Sequence, residues 1–188
     1  RRESAATVAA SGCAGIAIGG SLGRDKTQMH EVVDWATAEL PEERPRHLLG
    51  IGDVDDLVRG VELGIDTFDC AMPTRLARHG LALVPDPAGR WRVDLLKGRW
   101  RQAREPVLQG CRCPACAGGF SRAYLRHLVR QRELTGMRLL TLHNLTFVAD
   151  LMDDLRAGLH AGELATVTAG IRGGEAPGRY RAAQPTRN

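Results

Sequence analysis

A chain of 188 residues, 43% hydrophobic and 26% charged with a formal net charge of +4, holds enough apolar material to bury a core. It has no apolar run of about 18 residues, which excludes a membrane-spanning helix. Its first residues, Arg1-Arg2-Glu3-Ser4-Ala5-Ala6, carry no apolar stretch of the kind a secretory signal needs, and they read as mid-helix, as in a fragment. Aromatic residues make up only 4%, so Leu, Val, Ile and Ala must build the core.

In chain order, Ala14 to Ile18 is a short apolar run closed by Gly19-Gly20, which predicts a buried strand and a tight turn. From Lys26 to Leu40, apolar Met29, Val32, Val33, Ala36 and Leu40 share one helical stripe, ended by Pro41. His47 to Ile51 predicts a second strand. Asp53 then reads as an N-cap, with Asp55 and Asp56 in the first turn, where carboxylates favour the helix dipole. Leu57, Val58 and Val61 supply that helix's apolar face, and Gly64 its C-cap. Ile65 to Asp69 predicts a third strand. Strands alternating with helices imply a parallel sheet with right-handed crossovers, hence an α/β fold.

Residues 78–109 are less regular, with turn signals at Pro85-Asp86-Pro87-Ala88-Gly89. Ser121 predicts the N-cap of a helix to about Glu133, with Leu125, Leu128 and Val129 inward. A longer helix is predicted from Leu140 to Leu159, with Leu145, Val148, Leu151, Met152 and Leu155 on one side. After Gly162 the pattern fades, and from Gly173 onward the composition is that of a disordered tail.

Charge is unevenly spread. Between Arg92 and Arg138, eleven Lys/Arg stand against three acids, a local charge of +8 in a chain of +4. That is the footprint of a surface that meets phosphates, or else a solvated basic face. Within the same stretch lies Cys111-Arg112-Cys113-Pro114-Ala115-Cys116. Five cysteines, an odd number without a secretion signal, point to the reducing cytosol and to metal rather than disulfides. Three thiolates this close can wrap one tetrahedral zinc, or they can be reduced thiols without metal. The best fourth ligand is His143, near the start of the last long helix, with His127 and His160 as alternatives. Four protein ligands leave no open position, so such a zinc would be structural.

The segment Gly64-Ile65-Asp66-Thr67-Phe68-Asp69-Cys70-Ala71-Met72-Pro73-Thr74-Arg75 resembles the signature of the tRNA-guanine transglycosylases. Ala17-Ile18-Gly19-Gly20 resembles their glycine-rich substrate loop, and His47-Leu48-Leu49-Gly50-Ile51-Gly52 their next strand end. Downstream, the three cysteines, Phe120-Ser121-Arg122-Ala123-Tyr124-Leu125 and Thr141-Leu142-His143-Asn144 are similar to the family's zinc domain. The likeness runs over residues 1–157. It implies the C-terminal part of a (β/α)8 barrel with a zinc subdomain. Residues 1–110 would be the last strands and the catalytic loop, 111–160 the zinc-binding helices and 161–188 a tail.

The activity implied is exchange of a guanine in the tRNA anticodon for a 7-deazaguanine, by a cytoplasmic homodimer with structural Zn2+. Asp69 matches the family's nucleophile, and its carboxylate would attack the anomeric carbon of the ribose. Asp66, three residues earlier, should face the other side of the strand. Gly20, Leu49 and Gly50 match residues at the bound base, with Leu49 replacing a more usual methionine. Gly50, Ile51, Gly52, Asp53, Val54, Asp55 and Asp56, together with Thr74, Arg75, Leu76, Ala77 and Arg78, match stretches assigned to RNA contact. Cys111, Cys113, Cys116 and His143 match the zinc ligands. Asp69, Gly50 and Gly20 all fall at C-terminal ends of predicted strands, where barrel sites lie. The sequence departs from the family at Ser21-Leu22-Gly23-Arg24, a loop one residue shorter, and at Leu76-Ala77-Arg78-His79-Gly80. The family's second aspartate and its glutamine come from a first half outside this chain. Competing readings are a relative acting on DNA, a non-catalytic RNA-binding subunit, and a zinc-stapled basic module.

Overall fold

Isoleucines two residues apart turn to one face of a strand, and Ile16 and Ile18 are both buried in β1 (Ile16–Ile18). The computed structural model describes residues 1–179 and shows β1 beside β2 (Arg46–Leu48), which in turn pairs with β3 (Thr67–Phe68). All three are parallel, in the register Ala17 opposite His47 and His47 opposite Thr67. Helix α1 (Arg2–Ala9) precedes them, and α2 (Lys26–Thr37) and α3 (Val54–Glu62) make the crossovers. The α/β reading of this region therefore holds. The closed barrel expected of the family is not visible in three strands.

Asp25 caps α2, its side chain accepting from the Gln28 N–H at 2.9 Å. Met29, Val32, Val33 and Ala36 pack with Ile16, Ile18, Leu48 and Ile65 in one core. The helix stops at Thr37, three residues before the predicted end. There the chain tightens into i→i+3 bonds from Glu39 to Ala36 and from Leu40 to Thr37, which still bury Leu40. Asp53 occupies the N-cap position of α3 but does not cap it, because its carboxylate pairs with Lys26 at 3.0 Å. Gly64 follows the helix with φ +81°, the left-handed turn expected of it.

The chain divides into two compact units, Arg1–Ala71 and Met72 onward. Residues 72–107 lie in the same unit as the cysteine cluster and pack with it. Ala77, Ala82, Val93, Leu95 and Val107 share a core with Cys113, Cys116, Leu125 and Leu140. Helix α4 (Met72–Arg78) leads into a hairpin of β4 (Leu81–Leu83) and β5 (Arg92–Asp94), whose connection carries the predicted turn. A short α5 (Pro114–Ala117) follows, then α6 (Arg122–Arg130), capped by Ser121 as expected, then α7 (Leu134–Ala161) and α8 (Leu164–Arg172).

Two expectations about the last helices need correction. The buried side of α7 is Leu140, His143, Asn144, Phe147, Leu151 and Leu155, whereas Leu145 is 45% exposed and Val148 and Met152 are half-buried. Polar residues on the inner stripe hid it from an apolar count, and each is buried because it bonds inward. The region from 161 is also not all tail. Val167 and Ile171 of α8 pack inward, and Gly158 lets α7 come close, since a Cβ there would sit 2.6 Å from a Val167 methyl. The remainder of the expected tail, 180–188, lies outside the described residues.

Candidate catalytic loop and metal centre

Thr67 and Asp69 are two residues apart at the end of β3, so they share a face of the sheet, and the register sets His47 beside Thr67. The His47 ring bridges them, with Nδ1 2.8 Å from Thr67 Oγ1 and Nε2 3.1 Å from Asp69 Oδ1. The Gly50 backbone N–H donates to the same Oδ1 at 3.0 Å. Gly50 can aim its N–H this way because it takes φ +73°, a conformation that strains any side chain. These donors hold the Asp69 carboxyl below the usual carboxylate range, Gly50 contributing most and His47 next, with a small share from the residue's own N–H. The aspartate remains 61% exposed, a charged oxygen nucleophile open to an approaching electrophile.

Asp66 turns the other way, accepting the Arg46 backbone N–H at 2.8 Å. Its work is to tie β3 to β2. Gly20 ends β1 with φ +76°, and Leu49, 47% exposed, lies over Gly19, where a Cβ would come within 2.7 Å of its Cδ1. Gly20, Leu49 and Gly50 thus stand at the same sheet end as Asp69.

The residues expected to meet RNA separate by burial. Val54 and Asp56 are buried, as are Leu76 and Ala77, so their side chains turn away from a ligand, and Gly52 is buried with no side chain to offer. The helical repeat explains this, because every third or fourth residue of α3 and α4 must turn to the core. Asp56 pairs instead with Lys26 at 3.0 Å and His30 at 3.1 Å, joining α2 to α3. Burial opposes the Lys26 charge, but hydrogen bonds to Asp56 and Asp53 outweigh it and raise its pKa. Gly50, Asp55, Arg75 and Arg78 face outward, and Ile51, Asp53 and Thr74 are half-buried.

The basic stretch divides likewise. Arg122 lies over the Trp100 ring at 4.6 Å and donates to the carbonyls of Pro106 and Val107, and Arg112 pairs with Asp150 at 2.8 Å. Arg126 donates to the Lys97 carbonyl. Those three hold the unit together. Arg101, Arg104, Arg130, Arg132 and Arg138 remain exposed.

Cys111, Cys113, Cys116 and His143 converge, with all their ligand atoms within 4.8 Å of one another. His143 Nδ1 lies 3.7, 3.4 and 3.5 Å from the three sulfurs in chain order. Its other nitrogen, Nε2, donates to the Leu83 carbonyl at 2.8 Å, which fixes the tautomer and leaves the Nδ1 lone pair for a metal. Next to it, Asn144 accepts the Leu83 N–H and donates to the carbonyls of Pro73 and Leu81, pinning the hairpin to α7. The thiols compete for protons: hydrogen bonds from Cys111 and Cys116 favour the Cys113 thiolate, and hydrogen bonds to Cys111 and Cys113 push Cys116 up. Burial opposes a charge on His143, but hydrogen bonds to Cys111 and Cys113 raise its pKa to about 9, so a metal binding at Nδ1 would displace a proton held there by the sulfurs. His127 and His160, the alternative ligands, are both exposed and outside the cluster. None of the five cysteines is in a disulfide. No helix among the described residues is long and apolar enough to cross a membrane.

Sequence reasoning missed His47 and Thr67. Each is an ordinary strand residue in isolation, and only the register, which a single sequence does not display, sets them together.

One unit is a parallel α/β sheet with an exposed carboxylate at its strand ends, and the other holds a largely buried Cys3His cluster able to bind a metal. The family model for queuine tRNA-ribosyltransferase matches residues 1–173. The queuine tRNA-ribosyltransferase of Roseiflexus sp. (strain RS-1) is 48% identical over 82% of this chain and 38% of its own length. That of Symbiobacterium thermophilum is 44% identical over 88% of this chain and 40% of its own. The chain belongs to the queuine tRNA-ribosyltransferase family, and it spans about two fifths of the length of the curated relatives it matches.

Proposed function

We propose that the full-length protein bearing this chain is a tRNA-guanine transglycosylase, replacing a guanine in the tRNA anticodon with a 7-deazaguanine. The observation that carries this reading is the exposed Asp69 carboxylate, ionised by the Gly50 N–H and His47 at the strand ends beside Gly20 and Leu49. In the first step an Asp69 oxygen bonds to C1′ of the ribose as the C1′–N9 bond breaks, and guanine leaves with the electron pair and takes up a proton. In the second, N9 of the incoming base, losing its proton, attacks C1′ and the carboxylate departs. Two inversions give net retention, as in retaining glycosidases. The groups that exchange protons with the bases belong to the barrel's first half, outside this chain.

Gly20, Leu49 and Gly50 would frame the base, the glycines allowing its close approach. Arg75 and Arg78 suit phosphates or base edges, and so do the exposed arginines of the second unit. Thr74 and the Gly50–Asp53 loop would add backbone contacts, since the carboxylates of Asp53 and Asp55 repel phosphate. The fold would be a (β/α)8 barrel completed by the preceding part of the protein, active as a cytoplasmic homodimer.

The metal would be a structural zinc. Zinc bonds of about 2.3 Å to sulfur and about 2.05 Å to nitrogen, at a tetrahedral angle, separate N from S by about 3.6 Å. The 3.4–3.7 Å separations found here fit that geometry. With four protein ligands the ion staples the 111–116 loop to α7 and offers no place to substrate.

The test is exchange of labelled guanine into nucleic acid by the full-length protein. Label should enter tRNA and not duplex DNA. Incorporation into DNA alone would favour a DNA-modifying relative, and tRNA binding without exchange would favour a non-catalytic subunit.

A further inference from the structure

The hydrogen bonds around Asp69 have a direction that chemistry fixes. An ionised carboxylate only accepts, so His47 Nε2 must carry a proton toward Asp69 Oδ1. In the neutral ring Nδ1 is then the acceptor, and the Thr67 hydroxyl 2.8 Å away must be its donor. The aspartate thus sets the tautomer, and the threonine hydroxyl, which can donate or accept, turns to bond it. The Gly50 N–H reaches Oδ1 as well, so both donors meet on one oxygen, and Oδ2 accepts neither bond.

We infer that His47, its ring held by Thr67, is a positioning residue that clamps Asp69 through Oδ1 and presents Oδ2 to the ribose. The inference rests on Asp69 being the nucleophile. Two donors on one oxygen stop the carboxylate from rotating about its Cβ–Cγ bond and draw negative charge onto Oδ1. The attacking atom is then the second oxygen, held at a fixed bearing before substrate arrives. A carboxylate on an exposed loop otherwise samples several rotamers, and misplacing a reacting atom slows the chemical step rather than weakening binding. His47 is suited to this because the strand register, and not a flexible loop, sets its place: it stands on β2 opposite Thr67 on β3.

Steady-state guanine exchange by the full-length protein separates this role from others. His47→Phe keeps a ring and removes both nitrogens, His47→Gln keeps an N–H donor at similar reach, and Thr67→Val keeps the shape and removes the hydroxyl. His47→Phe should lower kcat roughly 100-fold with KM for tRNA nearly unchanged, and His47→Gln should recover at least about tenfold of that loss. Thr67→Val should cost about tenfold in the parent and nothing further in His47→Phe, the non-additivity of two residues acting as one unit. Parental kcat in His47→Phe, a loss appearing only in KM, or equal losses in Phe and Gln would overturn the inference. If His47→Phe does not fold, Thr67→Val and His47→Gln decide alone: about tenfold loss with the first and no more than about tenfold with the second support the clamp, and parental kcat in the first or a larger loss in the second defeats it. Asp69→Asn run in parallel keeps the failures apart. Exchange surviving in Asp69→Asn defeats the nucleophile itself, whereas its loss there, with parental activity in His47→Phe, defeats only the clamp.

Discussion

The two units solve the same problem, holding polar side chains at fixed positions, by opposite means. In the first, Asp69 sits 61% exposed at the end of a two-residue strand, placed by register, a left-handed glycine and one histidine. In the second, His143 is wholly buried, and the residues beside it bond the hairpin and the helix together. A group that must meet substrate has to stay open, so its position comes from backbone geometry beneath it. A group that only holds structure can be closed off, and there burial strengthens every bond.

The sharpest way to break the contrast is to remove the metal. Cys113→Ser and His143→Ala should each lose the bound zinc, while His127→Ala keeps it, as elemental analysis of the full-length protein would read. Structural zinc sites contribute about 10 kcal/mol or more of binding free energy to folding, so hydrogen exchange should show residues 72–179 opening while the β1–β3 sheet keeps its protection. Full zinc in His143→Ala would remove that residue from the site.

Core truncation should come next. Phe147 is 2% exposed on α7, and Phe147→Ala should cost about 3–5 kcal/mol in denaturant unfolding. A smaller effect is expected from Asn144→Ala, which leaves the buried Leu83 N–H without its acceptor, at roughly 1–3 kcal/mol. If that variant is as stable as the parent, the asparagine does not pin the hairpin. The gentlest perturbation is electrostatic. Arg130→Glu, at an exposed position on α6, should reduce the salt slope of tRNA binding by about one unit if it meets a phosphate. Arg122→Glu should instead destabilise the unit, since that arginine is tied to Trp100 and two carbonyls.

How much was legible in the sequence follows from the same contrast. The Cys3His cluster was readable because three cysteines within six residues have little other use, and the choice among three histidines fell on the one that is buried beside them. The strands before Gly19-Gly20 and after Pro45 were readable from their apolar runs. Asp66 and Asp69 separated correctly because strand faces alternate. The inner face of α7 was misread, because four of its buried positions, His143, Asn144, Asp150 and Asp154, are polar, and an apolar count passes over residues that bond inward. Helix α8 was missed because a nine-residue helix with three buried side chains, one of them a threonine, depends on α7 for its stability and carries little signal of its own. Within the contiguous matches at 50–56 and 74–78 a single sequence does not separate the outward residues from Val54, Asp56, Leu76 and Ala77, which α3 and α4 turn to the core.

The measurement that tests the central assignment most directly is capture of the covalent ribosyl-enzyme. Full-length protein is incubated with tRNA, the incoming base is withheld, and the mixture is denatured and examined by gel shift and mass spectrometry. The parent should yield a protein–RNA adduct, and Asp66→Asn should yield it too. Asp69→Asn should yield none while keeping tRNA affinity, because phosphate contacts lie elsewhere. Since Gly50 and His47 hold the Asp69 carboxyl below its usual range, adduct formation should persist as pH falls into the ordinary aspartate range and fade only beneath it. An adduct at parental yield in Asp69→Asn would contradict the assignment outright.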